Sequence, residues 1–225
     1  MADARGGPST GPGDGAFTGT GGFAASLKIG GGPSLFWSDV TVLGRPRVLI
    51  IDAVEDIDSW EAEASEKIAA SLVRRDIPVI GGKPVHVAGA ADIAAAVRSA
   101  DDFNCVFLTA RADASLSAAE CWNTLNDCLK GKTKLLAMCT WDSADADVAA
   151  DVMARADSFA PIAVAQQEPM SGRGASLFFM KFFAELDMHS EASNSMTGKM
   201  VWFGHSKARE IMRRRHYDGR VGLRS

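Results

Sequence analysis

Five short apolar runs alternate with longer segments of helical periodicity from Arg45 onward, and this alternation constrains the fold more than any other feature of the sequence. The runs cover residues 48–51, 85–88, 105–109, 135–139 and 162–165. Each run is only four or five residues long and almost continuously apolar, which is typical of strands covered on both faces. Strands and helices that alternate in series predict an α/β protein with a parallel sheet, right-handed crossovers and helices on both faces.

The segments between the runs carry helical patterns at residues 59–75, 91–99, 117–129, 145–156 and 171–186. In the first of them, Ser59 is placed as an N-cap, and apolar residues recur at helical spacing from Trp60 to Leu72. The last contains Phe178 and Phe182 and is too apolar all round for a surface helix. We therefore expect this Phe-rich helix to be buried between the sheet and another element.

Composition limits the class of protein. A chain of 225 residues with 47% hydrophobic and 23% charged residues can bury one full core. No apolar run approaches the roughly 20 residues of a bilayer crossing, and no basic-then-apolar leader opens the chain, so we expect a soluble, cytoplasmic protein without membrane contact. The cysteines, at positions 105, 121, 128 and 139, lack a CxxC pair, which argues against a zinc site or a disulfide framework. No metal or other cofactor is expected.

Both ends of the chain differ in composition from the middle. Residues 1–34 hold half of the 22 glycines, which predicts a flexible N-terminal segment. Its "GTGG" is not a phosphate loop, because no strand precedes it and no GKS/T follows. "FAASLKI" and "SLFWSDVTVL" look extended and predict a hairpin or an arm laid on the domain. The domain itself is predicted over residues 35–212, followed by a basic tail at 213–225.

The carboxyl ends of the strands are where a parallel sheet collects its reactive groups, beside the point at which the strand order reverses. Cys139, in "KLLAMCTWDS", ends the fourth run. "VLIID" looks like the acidic start of a receiver domain, but that family needs a phosphorylatable Asp after the third strand and a Lys after the fifth. The third run here ends in "TAR" and the fifth in "QQ". The sequence therefore excludes a phosphoreceiver.

The order of four sequence pieces carries a family resemblance. The pieces are "RPRVLIIDAVEDIDSWEAEASEKIAASL", "NCVFLTARADASLSAAECWNTL", "KLLAMCTWDS" and "PIAVAQQEPMSGRGASLFFMKFFAEL". Together they resemble the CHAT group of caspase-like (clan CD) cysteine peptidases over about residues 46–212, most specifically in the last piece. The resemblance implies a caspase-like three-layer α/β/α sandwich with a mainly parallel sheet of about five to six strands. It also implies that Cys139 is the nucleophile and that a histidine follows the third strand.

That histidine is missing, because the loop after the third run reads "TARADAS". A cysteine peptidase needs an imidazole to activate the thiol and to protonate the leaving amine. His86 lies on the second strand, which this topology separates from the fourth, so His205 or a histidine of a partner chain is the candidate base. Arg111 is nearest to the missing position. It stays protonated and cannot act as a base, but its charge could lower the pKa of the Cys139 thiol.

Two binding sites are candidates at the same edge of the sheet. Arg111 and Cys139 are either the relic of a dyad or a pocket for an acidic group, and Arg111 could equally form a surface salt bridge with Asp113 or Asp142. In "EPMSGRGAS", a helix start with free N–H groups could bind a small anion or nucleotide, although a capped helix with close-packing glycines explains it as well. The residues of this second site are Ser171, Gly172, Arg173 and Gly174.

The basic tail is either a solvated face or a docking arm that includes Arg213, Arg214 and Arg215. A protein partner with an acidic surface is favoured over nucleic acid, because only Tyr217 in the tail is available for stacking. The sequence leads to the hypothesis of a catalytically inactive caspase-like domain that acts as a protein-interaction or regulatory subunit. The resemblance implies a prokaryotic signalling or defence assembly as its context. The alternatives are an active cysteine peptidase and an anion- or nucleotide-binding module.

Overall fold

Every apolar run of the sequence forms a strand in the computed structural model, which describes residues 25–29, 41–53, 60–111, 119–141, 162–166 and 172–221. The strands are β1 (Ala25–Ile29), β2 (Thr41–Leu43), β3 (Val48–Ala53), β4 (Val85–His86), β5 (Cys105–Arg111), β6 (Leu135–Trp141), β7 (Ile162–Gln166) and β8 (Ser195–Thr197). The helices are α1 (Trp60–Val73), α2 (Ala90–Ser99), α3 (Ala119–Leu129), α4 (Gly172–Glu191) and α5 (Gly198–Val221), and Ile80–Gly82 forms a short 3-10 turn.

The main sheet has the strand order β1-β7-β6-β5-β3-β4. Strands β3 to β7 run parallel to one another, and β1 pairs antiparallel with β7. The order reverses between β3 and β5, because the chain adds β4 on one side of β3 and then crosses to the other side. This arrangement confirms the predicted α/β class with a mainly parallel sheet. It also confirms that β3 and β5 separate His86, on β4, from β6.

One face of the sheet packs against α1, α4 and α5 in a single apolar cluster. The ring of Phe107, on β5, lies 4.6 Å from the ring of Phe179 and 6.2 Å from that of Phe183, measured between centroids. All three rings are fully buried. The Phe-rich helix, α4, is therefore buried between the sheet and another element as predicted, and that element is α5.

Helix α5 approaches the backbone of α4 closely at Gly204. A Cβ atom at this position would lie 3.1 Å from the carbonyl oxygen of Phe182 and 3.5 Å from the backbone nitrogen of Leu186. A side chain at residue 204 would therefore separate the two helices, so the glycine is explained by close packing.

The opposite face of the sheet is covered by α2 and α3. Strand residues that alternate with those of the first face, such as Leu49 and Leu108, pack there in a second apolar cluster. The helices contribute Ile93, Val97, Leu125 and Leu129. Helices thus cover both faces, as the nearly continuous hydrophobicity of the strands predicts, and the architecture is compatible with a three-layer α/β/α sandwich.

The predicted hairpin between "FAASLKI" and "SLFWSDVTVL" is wrong. β1 pairs with β7, from Ala25 opposite Gln166 to Ile29 opposite Ile162, and β2 pairs with β8 in a separate two-stranded sheet. β1 supplies backbone partners to the β7 edge, so residues 25–29 belong to the sheet although they fall within the predicted flexible segment. The rest of that segment and the predicted helix at 145–156 lie outside the described residues.

Candidate functional site

A row of four residues crosses the sheet near the carboxyl ends of its strands. Asp52 on β3 is the register partner of His86 on β4 and of Thr109 on β5, and Thr109 is the partner of Cys139 on β6. Register partners in a parallel sheet point to the same face, here the face that α1, α4 and α5 cover. We call these four residues the switch-point row, because they flank the place where the strand order reverses.

Asp52 is completely buried within this row. The Thr109 hydroxyl donates a hydrogen bond of 2.8 Å to Asp52 Oδ1, and the Ser65 hydroxyl of α1 lies 3.1 Å from Thr109 Oγ1. On the other side, His86 Nδ1 lies 3.4 Å from Asp52 Oδ2, and the His86 side chain is 35% exposed. An isolated buried carboxylate would be strongly unfavourable. The hydrogen bond from Thr109 offsets part of that cost, and the contacts together connect α1 with three strands of the sheet.

No motif in the sequence assigns a role to Asp52, Thr109 or Ser65, because excluding a receiver domain removes the only function that "VLIID" suggests. A signal for the first two is nevertheless present in the sequence. Asp52 directly follows the run at 48–51 and Thr109 ends the run at 105–109, each four residues after the first residue of its run. Adjacent parallel strands can therefore place them side by side, and a carboxylate at a buried position needs a donor. Ser65 has no comparable signal, since its direction depends on how α1 packs.

Cys139 lies within β6, two residues before the strand ends at Trp141. Its side chain is completely buried in the apolar cluster beneath α1, α4 and α5. Burial raises the pKa of the Cys139 thiol well above its usual range, because an apolar interior disfavours the thiolate. An activated nucleophile needs the opposite shift. At neutral pH this thiol is a neutral core side chain.

His205, the candidate base, lies on α5 and is 5% exposed. Its ring meets the ring of Phe178 edge-on, with 5.9 Å between centroids. His189 of α4 packs similarly against Phe203 at 4.5 Å, and its Nε2 atom lies 3.7 Å from Glu185 Oε2. Both imidazoles therefore take part in the packing of α4 against α5.

The structure describes only part of the predicted Arg111 ion pair. Arg111 is the last residue of β5 and is in register with Trp141 of β6, so its backbone stands at the carboxyl edge of the sheet. The Arg111 side chain and the residues Asp113 and Asp142 fall in the ranges that the structure leaves undescribed. The salt bridge and the acidic-ligand pocket stay predictions.

The predicted anion site coincides with the start of α4. Gly172 is the first residue of this helix, the Arg173 side chain is exposed and Gly174 is buried, whereas Ser171 precedes the described range. The helix start itself is confirmed to within one residue of the predicted one. A buried Gly174 fits the packing explanation of these glycines, and anion binding stays a prediction.

The other described thiols are structural. Burial raises the pKa of Cys105 to about 12, and its sulfur lies 3.9 Å from the sulfur of Met196. Cys128 is half-buried, and both are free thiols. Among the residues that the structure describes, no three His, Cys, Asp or Glu side chains form a group that could hold a metal ion. In the same part of the chain, no helix has both the length and the apolar content of a membrane span.

Comparison with known proteins leaves the family open. No protein-family model matches the chain, and no curated protein sequence matches it. The resemblance to CHAT peptidases therefore rests on the order of four sequence pieces, with which the α/β architecture is compatible. The structure describes the state of the thiol that this resemblance assigns to the nucleophile.

Proposed function

We propose that this chain is a catalytically inactive, caspase-like (CHAT-like) α/β domain that acts as a protein-interaction or regulatory subunit, in a prokaryotic signalling or defence assembly. One observation carries the proposal. Cys139, which matches the position of the family's nucleophile, is fully buried and has a raised pKa. A thiol is present at this position, but its surroundings are those of a residue that packs in the core.

The chemistry of a thiol peptidase supports the same conclusion. The sulfur has to approach a peptide carbonyl to about 3–3.5 Å, and it has to be a thiolate at that moment. Cys139 is buried within an apolar cluster, and its thiolate is disfavoured. His205 is itself 5% exposed and packs on Phe178. Neither group has the solvent access that an extended peptide substrate would need.

Labelling with a thiol-directed peptidyl probe tests this proposal. We expect the native protein to show no modification of Cys139 by peptide mass spectrometry, and the urea-unfolded protein to be modified at this residue. Cys128, which is half-buried and free, serves as the internal control for an active reagent.

Labelling of Cys139 in the native state would overturn the inactive-domain proposal in favour of the active peptidase. In that event, loss of labelling in His205→Ala would identify the base, and persistent labelling would point to a histidine of a partner chain. Cys139→Ala provides the blank for nonspecific modification.

A further inference from the structure

Within the switch-point row, His86 is the one residue that reaches the solvent. Its side chain is 35% exposed, whereas Asp52, Thr109 and Cys139 are completely buried. Asp52 Oδ2, which lies 3.4 Å from His86 Nδ1, is inaccessible to water. A change in the protonation of His86 therefore acts on a carboxylate oxygen that solvent does not screen.

The charge of His86 decides how well this carboxylate is compensated. A neutral imidazole offers Oδ2 the dipole of one N–H group, and with its proton on Nε2 it turns a lone pair toward the carboxylate instead. An imidazolium always carries a proton on Nδ1 and adds the opposite charge that a buried carboxylate needs. The distance from Nδ1 to Oδ2 has to shorten by roughly half an ångström to reach that of a charge-assisted hydrogen bond. Protonation of His86 therefore strengthens the contact between β4 and β3.

Other charged groups on the elements around β4 either have partners or are exposed. They are Glu63 and Lys67 of α1, which pair with each other, Asp92 of α2, which accepts the Ala88 N–H at 3.0 Å, and the exposed Glu66 of α1 and Lys83 before β4. Glu55, Asp56 and Asp58, which follow β3 in the sequence, lie outside the described residues. A test has to separate the effect of these three carboxylates from that of Asp52.

Strand β4 is joined to the sheet by few contacts. It stands at the edge of the sheet beside β3, and only Val85 and His86 are in register with that strand. The Val87 N–H then donates a hydrogen bond of 2.9 Å to the backbone carbonyl of Asp52. A short ladder at a sheet edge opens at a lower free energy than the central strands do. One added ion pair is therefore a large part of what holds β4 in place.

We propose that His86 and Asp52 form a pH-sensitive ion pair that holds β4 against the sheet when His86 is protonated. The folded protein then binds this proton more tightly than the unfolded chain does. The contribution to stability is complete below the ordinary histidine value of about 6.5 and is lost as the pH rises. This inference goes beyond the proposed function, because it describes a conformational response at the opposite side of the sheet from Cys139.

Urea denaturation at pH 5.5 and pH 8 tests the ion pair. Glutamine keeps an N–H donor but cannot carry the charge, so His86→Gln should raise the unfolding equilibrium constant about tenfold or more at pH 5.5 and less than about threefold at pH 8. His189→Gln is the matched control. Its side chain is also 35% exposed and lies 3.7 Å from a carboxylate, that of Glu185, which Lys181 already pairs. Its effect should agree at the two pH values within about threefold.

Amide exchange of Val87 reports the attachment of β4 directly, because this N–H is bonded to Asp52 across the two strands. The measured rates are corrected for the intrinsic exchange rate at each pH. We expect the protection factor of Val87 in the native protein to be at least about fivefold higher at pH 5.5 than at pH 8. In His86→Gln the two protection factors should be equal.

Three results would overturn the proposal. These are an equal cost of His86→Gln at both pH values, pH-independent protection of Val87 in the native protein, or an unchanged pH dependence of the His86→Gln effect in an Asp52→Asn background. The last would assign the partner charge to another carboxylate. If Asp52→Asn does not fold, the first two measurements decide the question. None of them involves the Cys139 thiol, so the ion pair and the inactive-domain proposal can fail separately.

Discussion

Asp52 is the residue at which charge and burial conflict most directly in this protein. It is inaccessible to solvent in a central strand, where an unpaired carboxylate would cost several times the net gain of one ordinary hydrogen bond. The Thr109 hydroxyl on β5 offsets part of this cost through its hydrogen bond to Oδ1, and the His86 imidazole on β4 lies 3.4 Å from Oδ2. The switch-point row, where related architectures place their chemistry, is therefore held by internal polar contacts.

Substitution of Thr109 by Val tests the energetic weight of this network. Valine keeps the shape of the side chain but removes the donor to Asp52, so the unfolding free energy should fall by about 1–3 kcal/mol. Urea denaturation measures the change. Thr133→Val is the matched control, because Thr133 is equally buried and its hydroxyl has no hydrogen-bond partner among the described residues. Equal effects of the two substitutions would show that the contact with Asp52 contributes little.

The buried thiols make the stability of the fold sensitive to alkaline pH. Burial raises the pKa of Cys139 well above its usual range and that of Cys105 to about 12. Above the ordinary thiol pKa of 9.0, the unfolded chain releases protons that the folded chain still holds. This contribution to stability is complete below that value and is lost as the pH rises toward the folded pKa.

We expect each buried thiol to steepen the loss of unfolding free energy above this pH by up to about 1.4 kcal/mol per pH unit. Denaturation of the native protein and of Cys139→Ala between about pH 8 and 11 measures the two slopes. The slope should be smaller in the variant, because one of the two thiols is absent. Identical slopes would mean that the Cys139 thiol titrates normally in the folded state.

The α4–α5 pair packs closely. Its phenylalanine rings fill the space above β5, and its backbones meet at Gly204. The sequence predicts the burial of α4, since a helix that is apolar all round needs cover on every side. It does not predict that α5 supplies this cover, because α5 contains many charged residues and the contact depends on a glycine whose role appears only in three dimensions.

Substitution of Gly204 by Val tests this contact. The added side chain would lie 3.1 Å from the Phe182 carbonyl oxygen, and relieving that contact requires the helices to separate, so the unfolding free energy should fall by about 1–3 kcal/mol. Ser206→Val, at a half-buried position of the same helix, is the control and should change the unfolding free energy by less than about 0.5 kcal/mol. Comparable losses would attribute the effect to helix propensity.

The whole molecule is an alternation of strands and helices that the sequence predicts well in the middle of the chain and poorly at its start. The apolar runs locate β3 to β7 because both faces of these strands are covered, and hydrophobicity alone marks them. The sequence does not predict the pairing of β1, because its partner β7 is distant in the sequence and a short strand carries no local sign of that pairing. For the same reason the spacing of residues could not show which side chains surround Cys139.

Two shortened chains measure what β1 contributes to the whole sheet. A chain that begins at residue 25 retains β1 and should melt close to the full-length protein, while a chain that begins at residue 31 loses it and exposes the backbone of β7. Losing a five-residue ladder removes hydrogen bonds with a net contribution of about 1 kcal/mol each, so the melting temperature should fall by about 10–20 °C. An open strand edge also promotes association between chains, and light scattering should therefore rise in the shorter chain alone. Equal melting temperatures for the two chains would mean that β7 remains a stable edge without β1.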